Sequence, residues 1–195
     1  ELSDPLGNFA APTVIGSVAA VASGSIPCTI LLGALNGTGY RVRVVSSNPV
    51  VTGTNNGTNI SIHTLPTVIA IASPTAVCAG ANLTLTGGGA ATYVWNGGIT
   101  NGVAFVPPAT ATYTVTGTDN FNCSNTATVT VPVNPLPTVN ATVMPADTLC
   151  AGNPCTLTGA GAVTYVWTNP VIDNTPFTPL ATATYTVIGT DANNC

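Results

Sequence analysis

The strongest constraint on this chain is that it repeats itself, and a repeat is what a fold reading must explain first. Residues 65–123, LPTVIAIASPTAVCAGANLTLTGGGAATYVWNGGITNGVAFVPPATATYTVTGTDNFNC, align almost without gaps with residues 136–195, LPTVNATVMPADTLCAGNPCTLTGAGAVTYVWTNPVIDNTPFTPLATATYTVIGTDANNC. Cys78 and Cys150, Trp95 and Trp167, Tyr113 and Tyr185, and Cys123 and Cys195 all stand 72 positions apart. A period of that length is a domain, not one coil of a solenoid.

Within each copy, short runs rich in Val, Thr and Tyr alternate apolar with polar residues and are broken by Gly, Pro and Asn. That is the pattern of antiparallel strands with one wet face. In the first copy Leu83 and Leu85, Tyr93 and Trp95, Val103 and Phe105, Tyr113 and Val115, and Val129, Val131 and Val133 fall at spacing two, so each set is expected to face a core. Between them stand Thr84, Thr92, Thr112, Thr114, Thr128 and Thr130. Their β-branched side chains suit a pleated surface while the hydroxyl stays wet. Threonine takes the place of charge on the outer face, which explains why only 4% of the 195 residues are charged.

So little charge invites two other readings, and the residues argue against both. Thr, Asn, Gly or Pro interrupts every apolar run well before the roughly 18 residues a membrane-spanning helix needs. Disorder fits poorly with 45% hydrophobic residues, two Trp and five Tyr. The net charge of −4, with Arg41 and Arg43 as the only strong cations, argues against nucleic acid as a partner. These two arginines alternate in GTGYRVRVV and are expected on a solvated strand face.

The copies suggest three domains: residues 1–63, residues 64–135 and residues 136–195. The opening segment does not match the repeat, but GTGYRVRVVSSNPVVTGTNNGTNISI reads as two strands joined by an Asn/Gly turn, part of a sandwich of another type without its opening strands. The second copy stops at Cys195, where the first continues with SNTATVTVPV, so both ends are expected to fall inside domains. ELSDPLGNF has no basic and apolar leader pattern. Three prolines in VPVNPLP, Val131–Pro137, favour a short extended linker that holds neighbouring domains semi-rigidly.

The segments CAGANLTLTG, TYVWNGG and TATYTVTGTD, with the cysteine that follows, resemble the Ig-like and PKD-like repeats of very large secreted Bacteroidetes surface proteins; the resemblance covers residues 65 to 195. It implies an all-β fold of tandem Ig-like/PKD-like antiparallel β-sandwiches, export by the type IX route, an extracellular or cell-surface location, and roles in adhesion, gliding or fibre formation. Fold analogy by itself does not assign function.

Six cysteines without a CxxC pair or a Cys/His cluster disfavour zinc and favour disulfides in an oxidising compartment. The simple pairing is Cys78 with Cys123 and Cys150 with Cys195, each closing a loop of about 45 residues worth roughly 3 to 4 kcal/mol. In a standard sandwich, however, the first and last turns lie at opposite ends. The rival is a ladder between domains, with Cys78 joined to Cys195 and Cys28 to Cys123. Cys155 replaces Leu83 on the expected core face and reads as a buried free thiol, leaving Cys28 and Cys155 as free or interdomain cysteines.

No catalytic constellation emerges. The lone His63 lies in a linker, GxSxG is absent, and the carboxylates Glu1, Asp4, Asp119, Asp147, Asp173 and Asp191 are scattered. Asp119 and Asp191 occupy equivalent turns, where Asp commonly bonds its own backbone. Asp147-Thr148-Leu149 matches the short acceptor pattern for O-glycosylation in Bacteroidetes, making Thr148 a candidate site. Asn-x-Thr triplets at Asn36, Asn56, Asn82 and Asn140 are what an Asn- and Thr-rich chain produces by chance.

The expectation is therefore a protein that is not an enzyme and needs no cofactor or metal. It would be a spacer or shaft of a surface fibre, whose partners are neighbouring repeats or other copies of itself. Two rivals stand beside it: an adhesin that recognises glycans or proteins through end loops such as residues 96–102 and 168–174, and accessory repeats of a larger secreted enzyme.

Overall fold

A computed structural model describes residues 1–19, 22–145, 148–150 and 152–195. Among these the protein is all-β, with several antiparallel sheets, and the one helical turn is a short 3-10 turn at Asn96–Gly98. No helix among the described residues is long and apolar enough to cross a membrane. The chain divides into two compact units. One comprises Glu1–Ile69, Gly88–Tyr93 and Thr116–Thr126; the other comprises Ala70–Gly87, Val94–Val115 and Ala127–Cys195.

The opening segment forms four strands, β1 (Gly37–Tyr40), β2 (Arg43–Ser47), β3 (Val50–Asn55) and β4 (Ile60–Ile62). β2 pairs antiparallel with β3, and β1 with β4. The expected pair of strands is thus a single ribbon interrupted on both sides, and its turn lies at Asn48–Pro49 instead of at the Asn/Gly run. The Asn56–Gly57 stretch sits midway along the ribbon. There the Asn56 carboxamide oxygen accepts from Val42 N at 3.0 Å and its amide donates to Thr58 O at 2.7 Å, replacing ladder bonds with side-chain bonds. Leu2, Tyr40 and Ile62 are buried together, with Ile15, Ala34, Val42 and Ile60 packed on them.

In the first copy the strands are β5 (Ile69–Ser73), β6 (Val77–Cys78), β7 (Leu83–Gly88), β8 (Thr92–Trp95), β9 (Ala104–Phe105), β10 (Ala111–Thr118), β11 (Ser124–Val131) and β12 (Val133–Asn134). They form sheets in the orders β5-β7-β9 and β11-β10-β8, while β6 pairs parallel with β12. The second copy has β13 (Asn140–Met144), β14 (Cys155–Ala160), β15 (Thr164–Trp167), β16 (Pro176–Phe177) and β17 (Val187–Thr190), in the orders β13-β14-β16 and β15-β17. Each strand of the second copy thus has a counterpart in the first, in an arrangement consistent with a β-sandwich.

The alternation puts the expected residues inside. Leu83, Leu85, Val115 and Val131 are fully buried, and Trp95 and Tyr113 nearly so. Burying side chains of this size is worth about 1.5 to 3 kcal/mol each. Val103 departs from the expectation: it is exposed, because it closes the turn in which its N–H bonds Thr100 O, and β9 begins only at Ala104. On the outer face, Thr112 and Thr130 join their hydroxyls at 2.8 Å. Cross-strand Thr pairs of this kind stabilise a sheet without charge.

The glycines that the repeat retains have a steric reason. Gly89 and Gly161 have φ of +83° and +92°, and a Cβ there would lie 1.8 Å from Thr67 O and 1.9 Å from Thr138 O. Only glycine fits a left-handed turn pressed this closely against another backbone segment.

Candidate functional site: the disulfide-bridged turns

Cys78 and Cys195 form a disulfide, with Cα atoms 5.5 Å apart. Each sits in a tightly specified turn. Cys78 ends β6, whose neighbour is β12: Val77 N donates to Pro132 O at 3.0 Å and Ala79 N to Asn134 O at 2.8 Å. Ala81 N then returns to Cys78 O at 2.9 Å, closing a turn through Gly80 at φ +87°. The first-turn cysteine is thereby held beside the linker that leads into the second copy.

Cys195 lies in a turn organised by Asp191. One carboxylate oxygen, Oδ1, accepts from Asn193 N at 2.8 Å and Cys195 N at 2.9 Å, while Asp191 N donates to Cys195 O at 2.9 Å. Asn194 takes φ +61°, a conformation Asn tolerates better than most residues. The first copy builds the same turn from Asp119, whose Oδ1 accepts from Phe121 N and Cys123 N, with Asn122 at φ +63°. Asp119 and Asp191 are turn-capping residues.

The pairing within one copy, Cys78 with Cys123 and Cys150 with Cys195, is not formed. The reason is the length of β11. Cys123 directly precedes this strand and Cys78 lies beside β12, which follows it; eight residues of strand span roughly 26 Å, far beyond the reach of a disulfide. Cys28 and Cys150 are exposed and unpaired, Cys123 is half-buried and unpaired, and Cys155 is a buried free thiol in the place of Leu83.

The turn that carries Cys123 is closed differently. The His63 ring stacks on Phe121 with centroids 3.8 Å apart and planes 7° from parallel. His63 thus acts as a packing group. The second copy has Asn193 where the first has Phe121, so this stack has no counterpart there.

Arg43 also departs from the expected solvated face. Its Nε donates to Glu1 Oε2 at 2.7 Å, and its guanidinium carbon lies 4.4 Å from the centroid of the Phe9 ring. Arg41 instead reaches the side chains of Asn55 and Asn59.

The end loops contain an anchor that residue patterning alone did not expose. Trp95 Nε1 and Gly87 N both donate to Asn101 Oδ1, at 3.0 and 2.7 Å; in the second copy Trp167 Nε1 and Gly159 N donate to Asp173 Oδ1, at 2.7 and 2.8 Å. A buried indole N–H requires such a partner. The signal available in the sequence was a polar side chain six residues after each Trp. Asn96 stays exposed and accepts from Thr114 N of β10 at 3.0 Å.

Thr148 is exposed, whereas Asp147 of the same triplet lies outside the described residues. No group of three or more His, Cys, Asp or Glu that could hold a metal ion occurs among the described residues. No protein-family model and no curated protein matches the chain.

Proposed function

We propose that this chain is a non-catalytic structural segment of an extracellular bacterial surface or fibre protein, its β-sandwich repeats serving as spacer or shaft. The observation that carries the reading is the Cys78–Cys195 disulfide, which ties the first-turn cysteine of one copy to the last-turn cysteine of the next. A covalent tie between successive copies suits a segment that transmits tension, and disulfides persist in oxidising compartments outside the cytosol. The end loops support a spacer over an adhesin, since Asn101 and Asp173 are each engaged with the buried Trp of their own copy. His63, the residue a hydrolase would need, is engaged with Phe121.

Single-molecule pulling between the two termini tests the reading. With the disulfide intact, the segment from Cys78 to Cys195 contributes no unfolding extension. In reductant its 117 positions add about 400 Å of contour length. Extension of that segment without reductant, at forces that leave covalent bonds intact, would remove the basis for a covalently reinforced shaft.

A further inference from the structure

Asparagine followed by glycine is a reactive pair, because the next peptide nitrogen can attack the Asn side-chain carbonyl and glycine has no Cβ in the way. The chain has four such pairs: Asn36-Gly37, Asn56-Gly57, Asn96-Gly97 and Asn101-Gly102. The attack needs a free N–H on the glycine, room to move, and a carboxamide nitrogen that nothing else holds.

Three of the pairs are denied these conditions. Gly57 N donates to Asn55 Oδ1 at 2.9 Å, and the Asn56 amide donates to Thr58 O. Gly102 N donates to Leu85 O at 2.8 Å, and Asn101 is the acceptor of the Trp95 anchor. Gly37 opens β1 opposite Ile62, and Pro5 packs so closely that a Cβ on this glycine would lie 2.6 Å from the proline Cβ.

Asn96 and Gly97 differ on every count. Both are exposed, and a Cβ on Gly97 would meet nothing within 4 Å. Gly97 is the second residue of the 3-10 turn, whose first N–H groups have no partner within it, and nothing else among the described residues accepts from it. Asn96 Nδ2 has no partner among the described residues, while Oδ1 accepts from Thr114 N at 3.0 Å. A donor at that oxygen draws charge from Cγ and stabilises the anionic oxygen that forms when a nucleophile adds, as in an oxyanion hole.

We propose that Asn96 and Gly97 cyclise in the folded chain, making this end loop of the first copy a self-modifying site. Gly97 N adds to Asn96 Cγ and gives its proton to water; the Cγ–Nδ2 bond breaks, and Nδ2 leaves as ammonia. The five-membered imide then takes up one water. Opening at Cγ leaves an aspartate, and opening at the main-chain carbonyl leaves an isoaspartate with one extra methylene in the backbone; nothing is oxidised or reduced. Either product places a negative charge in a loop, residues 96–102, that has none. The second copy cannot follow. Thr168 stands in place of Asn96 and accepts from Thr186 N at 3.0 Å through its hydroxyl, and Asn169 is followed by Pro170, which has no N–H. The inference goes beyond the shaft reading and does not depend on it.

Peptide mapping by mass spectrometry tests it, after incubation of the full chain in mildly alkaline buffer made with heavy-oxygen water. Loss of ammonia with uptake of one heavy oxygen is expected first at residue 96, as aspartate and isoaspartate, while the other three pairs stay unchanged. In urea the four pairs are expected to react at similar rates, because the protection goes with the fold. Asn96→Thr copies the second repeat and keeps an acceptor for Thr114 N, so it is expected to lose the product and keep the urea midpoint. The proposal is overturned if residue 96 reacts no faster than the other three in the folded chain, if it leads by the same margin in urea, or if deamidation persists at full yield in Asn96→Thr.

Discussion

Cys78 and Cys195 are covalently joined across 117 positions of sequence, although each has a counterpart, Cys150 and Cys123, that is unpaired. The bond therefore reads an offset between copies, not a position within one. Closing a loop of this length is worth roughly 5 kcal/mol in the chain-entropy model. Replacing both residues by Ser is expected to lower the stability of the second copy by about 2 to 5 kcal/mol in denaturant unfolding. A non-reducing peptide map should recover the Cys78 peptide linked to the Cys195 peptide; recovery of Cys78 with Cys123 would contradict the bond.

Trp167 and Asp173 give a second test, because the first copy makes the same anchor with Asn101 in place of a carboxylate. Asp173→Ala leaves Trp167 Nε1 and Gly159 N without their acceptor, at about 1 to 3 kcal/mol for each donor left buried and unpaired. Asp173→Asn keeps an acceptor oxygen and should cost well under half as much. Urea unfolding followed by tryptophan fluorescence, with Trp95→Phe to isolate Trp167, measures both. Equal losses for Ala and Asn would mean the oxygen is not what holds the ring.

Alternation was the legible part of this fold, and Leu83, Leu85, Tyr113, Val115 and Val131 lie where period-two spacing put them because one face of each strand is dry. Val103 escaped the rule since a turn captured it before its strand began. The cysteine pairing was legible only as two alternatives, since both are compatible with the spacing and the choice depends on the distance that β11 imposes. The Trp anchors were in the sequence as a recurrent offset of six, but the residue types differ, Asn in one copy and Asp in the other. The stacking of His63 on Phe121 could not be read at all, because it joins residues with no counterpart in the repeat.

Asp4 should titrate below the ordinary carboxylate value. Its Oδ1 accepts from Asn8 N at 2.8 Å and Leu6 N at 2.9 Å, and the Asn8 backbone bond is the largest cause of the lowering. A depressed carboxyl pKa adds stability that is present above the unfolded value and is lost as pH falls through the folded one. An NMR titration should give a midpoint below the ordinary value of an aspartate carboxyl. Asp4→Asn should flatten the part of the acid-stability curve that the shift creates. A midpoint at or above that value would mean that the turn does not hold the carboxylate.

Gly161 and Gly152 separate steric from conformational cost within one copy. Both have positive φ, +92° and +87°, but a Cβ at Gly161 would meet Thr138 O at 1.9 Å whereas one at Gly152 meets nothing within 4 Å. Gly152→Ala should therefore lose only the backbone penalty of a left-handed alanine, about 1 to 2 kcal/mol. Gly161→Ala must in addition push the Thr138 segment away, and β13 starts two residues beyond it. Its loss should exceed that of Gly152→Ala by at least about 1 kcal/mol, in the range that strained or overpacked sites show. Denaturant midpoints of the two variants, compared at equal slope, decide the matter: indistinguishable values would mean that the close approach at Thr138 relaxes without cost.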